Sequence, residues 1–127
     1  MTYFFDNNLS YRYANMLRAI RQDVVHIAKT RGFHRDDPDE VWMPKVAAQG
    51  WVAVTLDERI RRIAAEEMIR TKVGLRVVFL AEGFLHHSFL DQAKFLIDAW
   101  SEILKQTAKS KPGECFKVTA QRKVVRV

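Results

Sequence analysis

Short apolar runs alternate with helical patterns along the chain. Four such runs, rich in β-branched and aromatic residues and bounded by turn-forming residues, read as buried strands at 3–5, 23–27, 51–55 and 75–80. Strands that are apolar throughout, with helices between them, are typical of a parallel sheet covered on both faces. The pattern therefore predicts an α/β fold, a three-layer α/β/α sandwich with a central, mainly parallel sheet.

Helix start and stop signals mark the intervals between these strands. The first helix follows Ser10. For the second we expect Asp37 as N-cap, Pro38 at the first helical position and Gly50 at the end. Pro44 lies inside this segment and predicts a kink or a later helix start.

The last two helices are assigned from their apolar stripes. The third helix ends at Gly74, and its predicted inward side is Ile60, Ile63, Ala64 and Met68. The stripe of the fourth is wide enough for a sheet face and, in addition, a homodimer surface, and consists of Phe89, Leu90, Ala93, Leu96, Ile97, Trp100, Ile103 and Leu104. After it, 115–119 and 123–127 alternate like two strands of a hairpin.

Length and composition limit the classes of protein. The 127 residues fit a single domain, 1–127, and the net charge of +6 comes entirely from a basic C-terminal segment, 105–127, with seven cations against Glu114. The single cysteine, Cys115, excludes an internal disulfide and is typical of a reducing compartment. No apolar run approaches the roughly 18 residues of a membrane span, and the N-terminus lacks signal-peptide features. We therefore expect a cytoplasmic protein without a membrane partner.

Acidic residues follow strands that should end at one edge of the sheet. Asp6 follows the first strand, Asp57 the third, and Asp39 and Glu40 begin the helix after the second. Singly, each is explained as a turn or helix-capping residue. Together they would repel one another unless a cation intervenes, and carboxylate oxygens favour Mg²⁺ or Mn²⁺.

The same residues carry a family resemblance. In order and spacing, nearly the whole chain resembles the short PIN-like domains, a bacterial branch of the PIN nuclease superfamily. The matching segments are Phe4-Phe5-Asp6-Asn7-Asn8-Leu9-Ser10, Asp23-Val24-Val25-His26, Pro38-Asp39-Glu40-Val41-Trp42, Gly50-Trp51 and Thr55-Leu56-Asp57-Glu58-Arg59-Ile60-Arg61-Arg62.

This resemblance implies a metal-dependent ribonuclease site on an α/β/α fold. Carried over by position, Asp6, Asp39 and Asp57 would hold Mg²⁺ or Mn²⁺, with Glu40 as the adjacent choice to Asp39. Many members are toxins, so an antitoxin protein is an implied partner beside RNA. Related chains often have a further acid where this one has Arg59, which puts a second metal site in doubt.

Candidate substrate-binding residues are polar or basic. We expect Asn7, Arg59, Arg61 and Lys117 to contact RNA, the arginines through phosphate oxygens. The competing interpretation of the two arginines is a solvated helix face. For segment 105–127 the alternatives are phosphate binding, solubility or contact with an acidic partner.

Three functions remain in competition. The leading hypothesis is an endoribonuclease that hydrolyses RNA phosphodiester bonds with a bound metal, with a toxin as its biological form. The alternative is a catalytically weak RNA- or protein-binding module. The third is a receiver-like signalling domain. That class has two adjacent acids after the first strand and a lysine after a late strand, whereas this chain has Asn7 and Asn8 in the first place and Glu82 in the second.

Overall fold

A six-stranded sheet, in the order β2-β1-β3-β4-β5-β6, organises the computed structural model, which describes residues 1–56, 64–80 and 82–127. The strands are β1 (Tyr3–Phe5), β2 (Val24–His26), β3 (Val52–Thr55), β4 (Arg76–Phe79), β5 (Cys115–Val118) and β6 (Val124–Arg126). The α-helices of the described ranges are α1 (Tyr11–Ala19), α2 (Asp39–Ala48), α3 (Ala64–Val73) and α4 (Phe89–Ala108). Single 3-10 turns cover Ile27–Lys29 and Glu82–His86.

The α/β architecture predicted from the sequence is confirmed. β1 to β5 are parallel, and β6 runs antiparallel to β5 as the second strand of a hairpin. β1 lies between β2 and β3, so the chain crosses over β1 on its way from β2 to β3.

Side chains of the sheet alternate between two hydrophobic clusters. On one face, Phe5, Val54, Val78 and Phe116 form a row across four strands and pack with α1 and α4. On the other, Phe4, Ala53, Val77 and Cys115 form the adjacent row and pack with α2 and α3. Cys115, the single cysteine of the sequence, is buried. Because successive strand residues point to opposite faces, each of β1 to β4 contributes to both clusters, which explains why the sequences of these strands are mostly apolar without a polar alternation.

The second helix begins one residue later than the sequence predicts. Its N-cap is Pro38, whereas Asp37 was the predicted cap. The Asp37 carboxylate instead accepts a hydrogen bond from the backbone N–H of His34 (2.9 Å), so it closes the preceding loop. The helix continues through Pro44 and ends where expected, before Gly50 in the left-handed region (φ 73°).

The residues that α3 and α4 turn toward the core differ from the predicted ones. Met68 is 72% exposed and Ala64 is also exposed, since Ile69 and Val73 are the residues that α3 turns toward the core. On α4 the residues Phe89, Leu90 and Ile97 are exposed, while the rest of the stripe packs against the sheet. The predictions for Ile60 and Ile63 fall outside the described residues.

None of the helices in the described ranges has the length and apolar composition that crossing a bilayer requires. Even α4, with 20 residues, carries charged side chains along its outer side, Asp91, Lys94 and Asp98 among them.

Candidate functional site

The carboxyl ends of β2, β1, β3, β4 and β5 meet at one edge of the sheet, which we call the carboxyl edge. β1 and β3 form the switch point of the topology, because the chain leaves β1 toward β2 and returns on the opposite side as β3. In open α/β sheets the ends of strands at such a point diverge and leave a crevice for ligands. Polar residues directly after β1 and at the end of β3 are therefore the first candidates for a site.

Asp6 lies at this switch point. It follows the buried strand β1, and only 5% of its surface is exposed. Its Oδ2 accepts a hydrogen bond from the Thr55 hydroxyl (2.5 Å), and its Oδ1 accepts one from the backbone N–H of Asn8 (3.1 Å). The Asp6 carbonyl accepts from the N–H of Leu9 (3.2 Å), which folds the β1–α1 loop around the side chain. The carboxylate is thus held from two sides in a fixed orientation.

One register row at the carboxyl edge contains Asp6, Thr55 and Lys117. Phe5 pairs with Val54, so Asp6 and Thr55 occupy the next row, and Thr55 pairs with Phe79, which pairs with Lys117. Phe79 belongs to the cluster on the side of α2 and α3, so the row faces that side. Lys117 lies half-buried two strands from Thr55, a lateral distance of about 10 Å.

Asp39 and Glu40 both lie in the first turn of α2, which follows β2 and so begins at the carboxyl edge. Asp39 is half-buried, and its Oδ1 accepts a hydrogen bond from the indole N–H of Trp42 (2.9 Å). Trp42 is itself buried and stacked on Phe4 (5.3 Å between ring centroids). Glu40 is exposed. Of these two acids, Asp39 is the one whose side chain is oriented by a buried residue, Trp42.

The other predicted site residues divide between exposed and undescribed positions. Asn7 is exposed in the β1–α1 loop, next to Asp6. Asp57, Arg59 and Arg61 lie outside the described residues. Within 1–56, 64–80 and 82–127, no group of three or more His, Cys, Asp and Glu side chains is placed to hold a metal ion. The three-carboxylate site therefore stays a prediction, because one of its members, Asp57, is in the undescribed range.

Basic residues of segment 105–127 divide between the two edges of the sheet. The end of α4 lies at the amino edge, where the Ser110 carbonyl accepts a hydrogen bond from Arg76, the first residue of β4. Lys109 and Lys111 are therefore remote from Asp6. Lys117 and Lys123, beside the turn of the β5–β6 hairpin, are at the carboxyl edge.

Two further cations of this segment are engaged within the fold. Arg126 pairs with Glu114 (2.6 Å), and Arg122 lies 3.9 Å from Asp98 and over the ring of Phe95. Segment 105–127 is thus an ordered part of the domain. A ligand would meet different cations of this segment at the two edges of the sheet.

His26 is a polar member of the edge to which the sequence analysis assigns no role in the site. It is buried at the end of β2, where its Nδ1 accepts from the N–H of Ala28 (3.0 Å) and its Nε2 bonds the Leu9 carbonyl (2.6 Å). Because Nδ1 is an acceptor, the proton of the neutral ring is on Nε2. Burial lowers the pKa of His26 below its ordinary value, and the positive charge of Arg35 lowers it further, against the hydrogen bond to Leu9.

A cleft of about 310 Å³ opens beside His26, between the β1–α1 loop and the loop after β2. Asn7, Tyr11, Lys29 and Arg35 line it, and all four side chains are exposed. The sequence analysis missed this cleft, since Lys29 and Arg35 lie in a polar loop without a motif. Thr55 was recognised as a strand residue and as part of a family-matching segment, but no role in the site was assigned to it, although a hydroxyl in an otherwise apolar buried strand is itself a signal.

Comparison with known proteins gives one match. A family model described as a PIN-like domain matches residues 1–82, from β1 to just beyond β4. The match includes Asp6, Asp39, Glu40 and the undescribed Asp57, but not Lys117. No curated protein and no solved structure matches the chain significantly.

Proposed function

Since the chain belongs to the PIN-like domain family, which is related to nucleases, we propose that it is a metal-dependent endoribonuclease that hydrolyses phosphodiester bonds of single-stranded RNA. One observation carries the proposal: a buried carboxylate, Asp6, is held by Thr55 at the switch point of the sheet. A turn residue needs only the local bond from the N–H of Asn8, whereas the second bond, from Thr55 of a neighbouring strand, fixes the carboxylate in the crevice where α/β folds bind ligands.

The donor set fits a hard divalent cation. The candidate ligands are carboxylates, each of which offers two oxygen atoms. Asp6, Asp39 and Asp57 would hold the ion, all through oxygen, which is the ligand type that Mg²⁺ and Mn²⁺ prefer. When bound, such an ion lowers the pKa of a water molecule and neutralises charge on the phosphate.

Within this chain, each residue has a separable task. Thr55 fixes the rotamer of Asp6, and Trp42 fixes that of Asp39, so that neither carboxylate has to be ordered when substrate arrives. Lys117, in the same register row as Thr55, supplies a positive charge to the RNA backbone. Asn7, exposed next to Asp6, offers an amide to substrate oxygens.

The test compares Asp6→Asn with Asp23→Asn. Asp23 precedes β2 at the amino edge and accepts a hydrogen bond from Thr2 (2.7 Å), so this control removes a carboxylate away from the site. Wild type and Asp23→Asn should cleave a labelled single-stranded RNA in Mn²⁺ or Mg²⁺ and not in EDTA, whereas Asp6→Asn should be inactive. Millimolar Mn²⁺ should raise the melting temperature of wild type but not of Asp6→Asn. Cleavage by Asp6→Asn at the wild-type rate would refute the proposal.

RNA binding without cleavage is the second candidate, and Arg59 favours it. This cation stands where related chains often have an acid, so the site has fewer carboxylates. Metal-independent RNA binding by wild type, without cleavage in either metal, would support this alternative.

A further inference from the structure

The cleft between the β1–α1 loop and the loop after β2 has the composition of a nucleotide subsite. Two cations, Lys29 and Arg35, line it together with the aromatic ring of Tyr11 and the amide of Asn7. Tyr11 is 41% exposed, and the Lys29 ammonium lies 5.2 Å from the centroid of its ring. In the described ranges, neither Lys29 nor Arg35 forms an ion pair with a carboxylate.

The position of the cleft relates it to the candidate metal site. Asn7 lines the cleft and directly follows Asp6, so their Cα atoms are about 3.8 Å apart. The cleft lies on the β2 side of Asp6, and Lys117 lies on the opposite side, beyond β3 and β4. A single strand that reaches Lys117 across the switch point would place its next nucleotides at this cleft.

The walls of the cleft are fixed by the fold. The loop after β2 is tied down by Phe33, which packs on Phe4 (5.0 Å between centroids), and by Lys45, which donates to the Gly32 carbonyl (2.9 Å). Thr30 donates to the His26 carbonyl at the base of the same loop (2.6 Å). These contacts fix the backbone that carries Lys29 and Arg35 before any ligand arrives, which reduces the entropy lost on binding.

Two exposed cations in the lining of one cleft create a positive potential that favours an anion. Arg35 and Lys29 both lie close enough to His26 to disfavour its protonated form, so the pKa of that ring is lowered by the field of the cleft as well as by burial. A phosphate group bound by the two side chains would neutralise this positive potential, and the planar ring of Tyr11 offers a surface for a base.

We propose that this cleft binds the phosphate and base of an RNA nucleotide adjacent to the cleaved bond, with Lys29 and Arg35 on the phosphate and Tyr11 against the base. The proposal rests on the proposed RNA substrate and adds where the strand runs. It assigns specificity for single strands to Tyr11, because a base inside a duplex is already stacked on its neighbours and has no free face for the ring.

Binding in EDTA tests the cleft without cleavage. The probe is fluorescein-labelled oligouridylate, titrated at several salt concentrations with wild type, with Lys29→Gln/Arg35→Gln and with Arg18→Gln/Lys111→Gln. The control removes the same charge from exposed cations at the amino edge. The cleft variant should lower the slope of log K against log salt by about 1.4, at about 0.7 per contact, and the control should not. Equal slopes in the two variants would overturn the proposal.

A second pair of variants isolates the base contact. Tyr11→Ala should weaken binding of oligouridylate roughly tenfold, whereas Tyr11→Phe should retain it. Neither should alter the affinity for inorganic polyphosphate. An equal loss for both probes would overturn the assignment of the base to Tyr11.

Cleavage in Mn²⁺ separates this proposal from the one on which it rests. Metal-dependent cleavage that Asp6→Asn abolishes, with unchanged binding in the cleft variants, would refute the cleft and leave the nuclease. Cleavage that survives in Asp6→Asn would refute the nuclease site, and reduced slopes in the cleft variant would still support the nucleotide subsite.

Discussion

Thr55 and Asp6 are 49 positions apart in the chain, yet the threonine hydroxyl donates to the aspartate Oδ2 over 2.5 Å in the buried crevice between β1 and β3. The bond joins two neighbouring strands at the switch point of the sheet. It connects the packing of the sheet to the position of a charged group. A change in either residue should therefore be visible in both stability and chemistry.

Thr55→Val should destabilise the metal-free protein by about 1–3 kcal/mol, because it leaves a buried carboxylate oxygen without this donor. Urea unfolding in EDTA measures the difference. Thr55→Ser, which keeps the hydroxyl, is the matched control and should retain most of the stability and the cleavage activity. Equal unfolding free energies for the valine and serine variants would contradict this role of the hydroxyl.

Asp39→Asn and Glu40→Gln should differ sharply although the residues are adjacent. Asp39 is oriented by Trp42 and half-buried, whereas Glu40 is exposed. We expect Asp39→Asn to reduce cleavage by about a hundredfold or more and Glu40→Gln to have little effect. Both neutralise one charge in the first turn of α2, so the pair controls for the helix dipole. The reverse order of activities would assign the role to Glu40.

His26 should make the stability of the metal-free protein depend on pH. The pKa of His26 is lowered in the folded state, so unfolded chains bind more protons between that pKa and about 6.5. The contribution is complete above about pH 6.5 and is lost as the pH falls through the folded-state value. His26→Gln should flatten the dependence of unfolding free energy on pH below 6.5. An equal flattening by His87→Gln, at an exposed histidine, would contradict the assignment.

The two edges of the sheet should contribute unequally to RNA binding. Lys117→Gln/Lys123→Gln removes cations at the carboxyl edge, and we expect the salt slope of RNA binding to fall by about 1.4. Lys109→Gln/Lys111→Gln, at the amino edge, should leave the slope unchanged. Melting temperatures verify that each variant is folded. A larger effect at the amino edge would assign segment 105–127 to a second surface, remote from Asp6.

Most of the fold follows from pattern because the strands are apolar on both faces and the helices are separated from them by clear turn residues. The faces of α3 and α4 follow less well. Met68 and Phe89 continue a helical apolar stripe in the sequence, but α3 packs Ile69 and Val73 on the core instead of Met68, and Phe89 stacks on Tyr13 with about half of its surface exposed. The cap of α2 was misjudged because Asp37 had a second backbone partner, the N–H of His34, which local sequence rules do not weigh.

The part of the site at the strand ends could be predicted from the sequence, whereas the part formed by loops could not. Asp6 follows an apolar strand, so parallel topology alone places it at the carboxyl edge. The cleft beside it is formed by the loop after β2, whose course is set by Phe33 and Lys45 through contacts that no spacing rule contains. Arg35 therefore acquires its position because Phe33 packs on Phe4, a residue that is distant in the sequence.

The interior place of β1 has a consequence for motion. Its three residues are buried and paired with strands on both sides, so β1 cannot fray as an edge strand does. Amide protons of Phe4 and Phe5 should then exchange with solvent only when the whole domain unfolds, whereas those of the loop after β2 can exchange by local opening. Asp6 therefore follows a strand that opens only with the whole domain, and the neighbouring cleft has one wall at the end of this strand and the other in the loop after β2, which the contacts of Phe33, Lys45 and Thr30 hold in place.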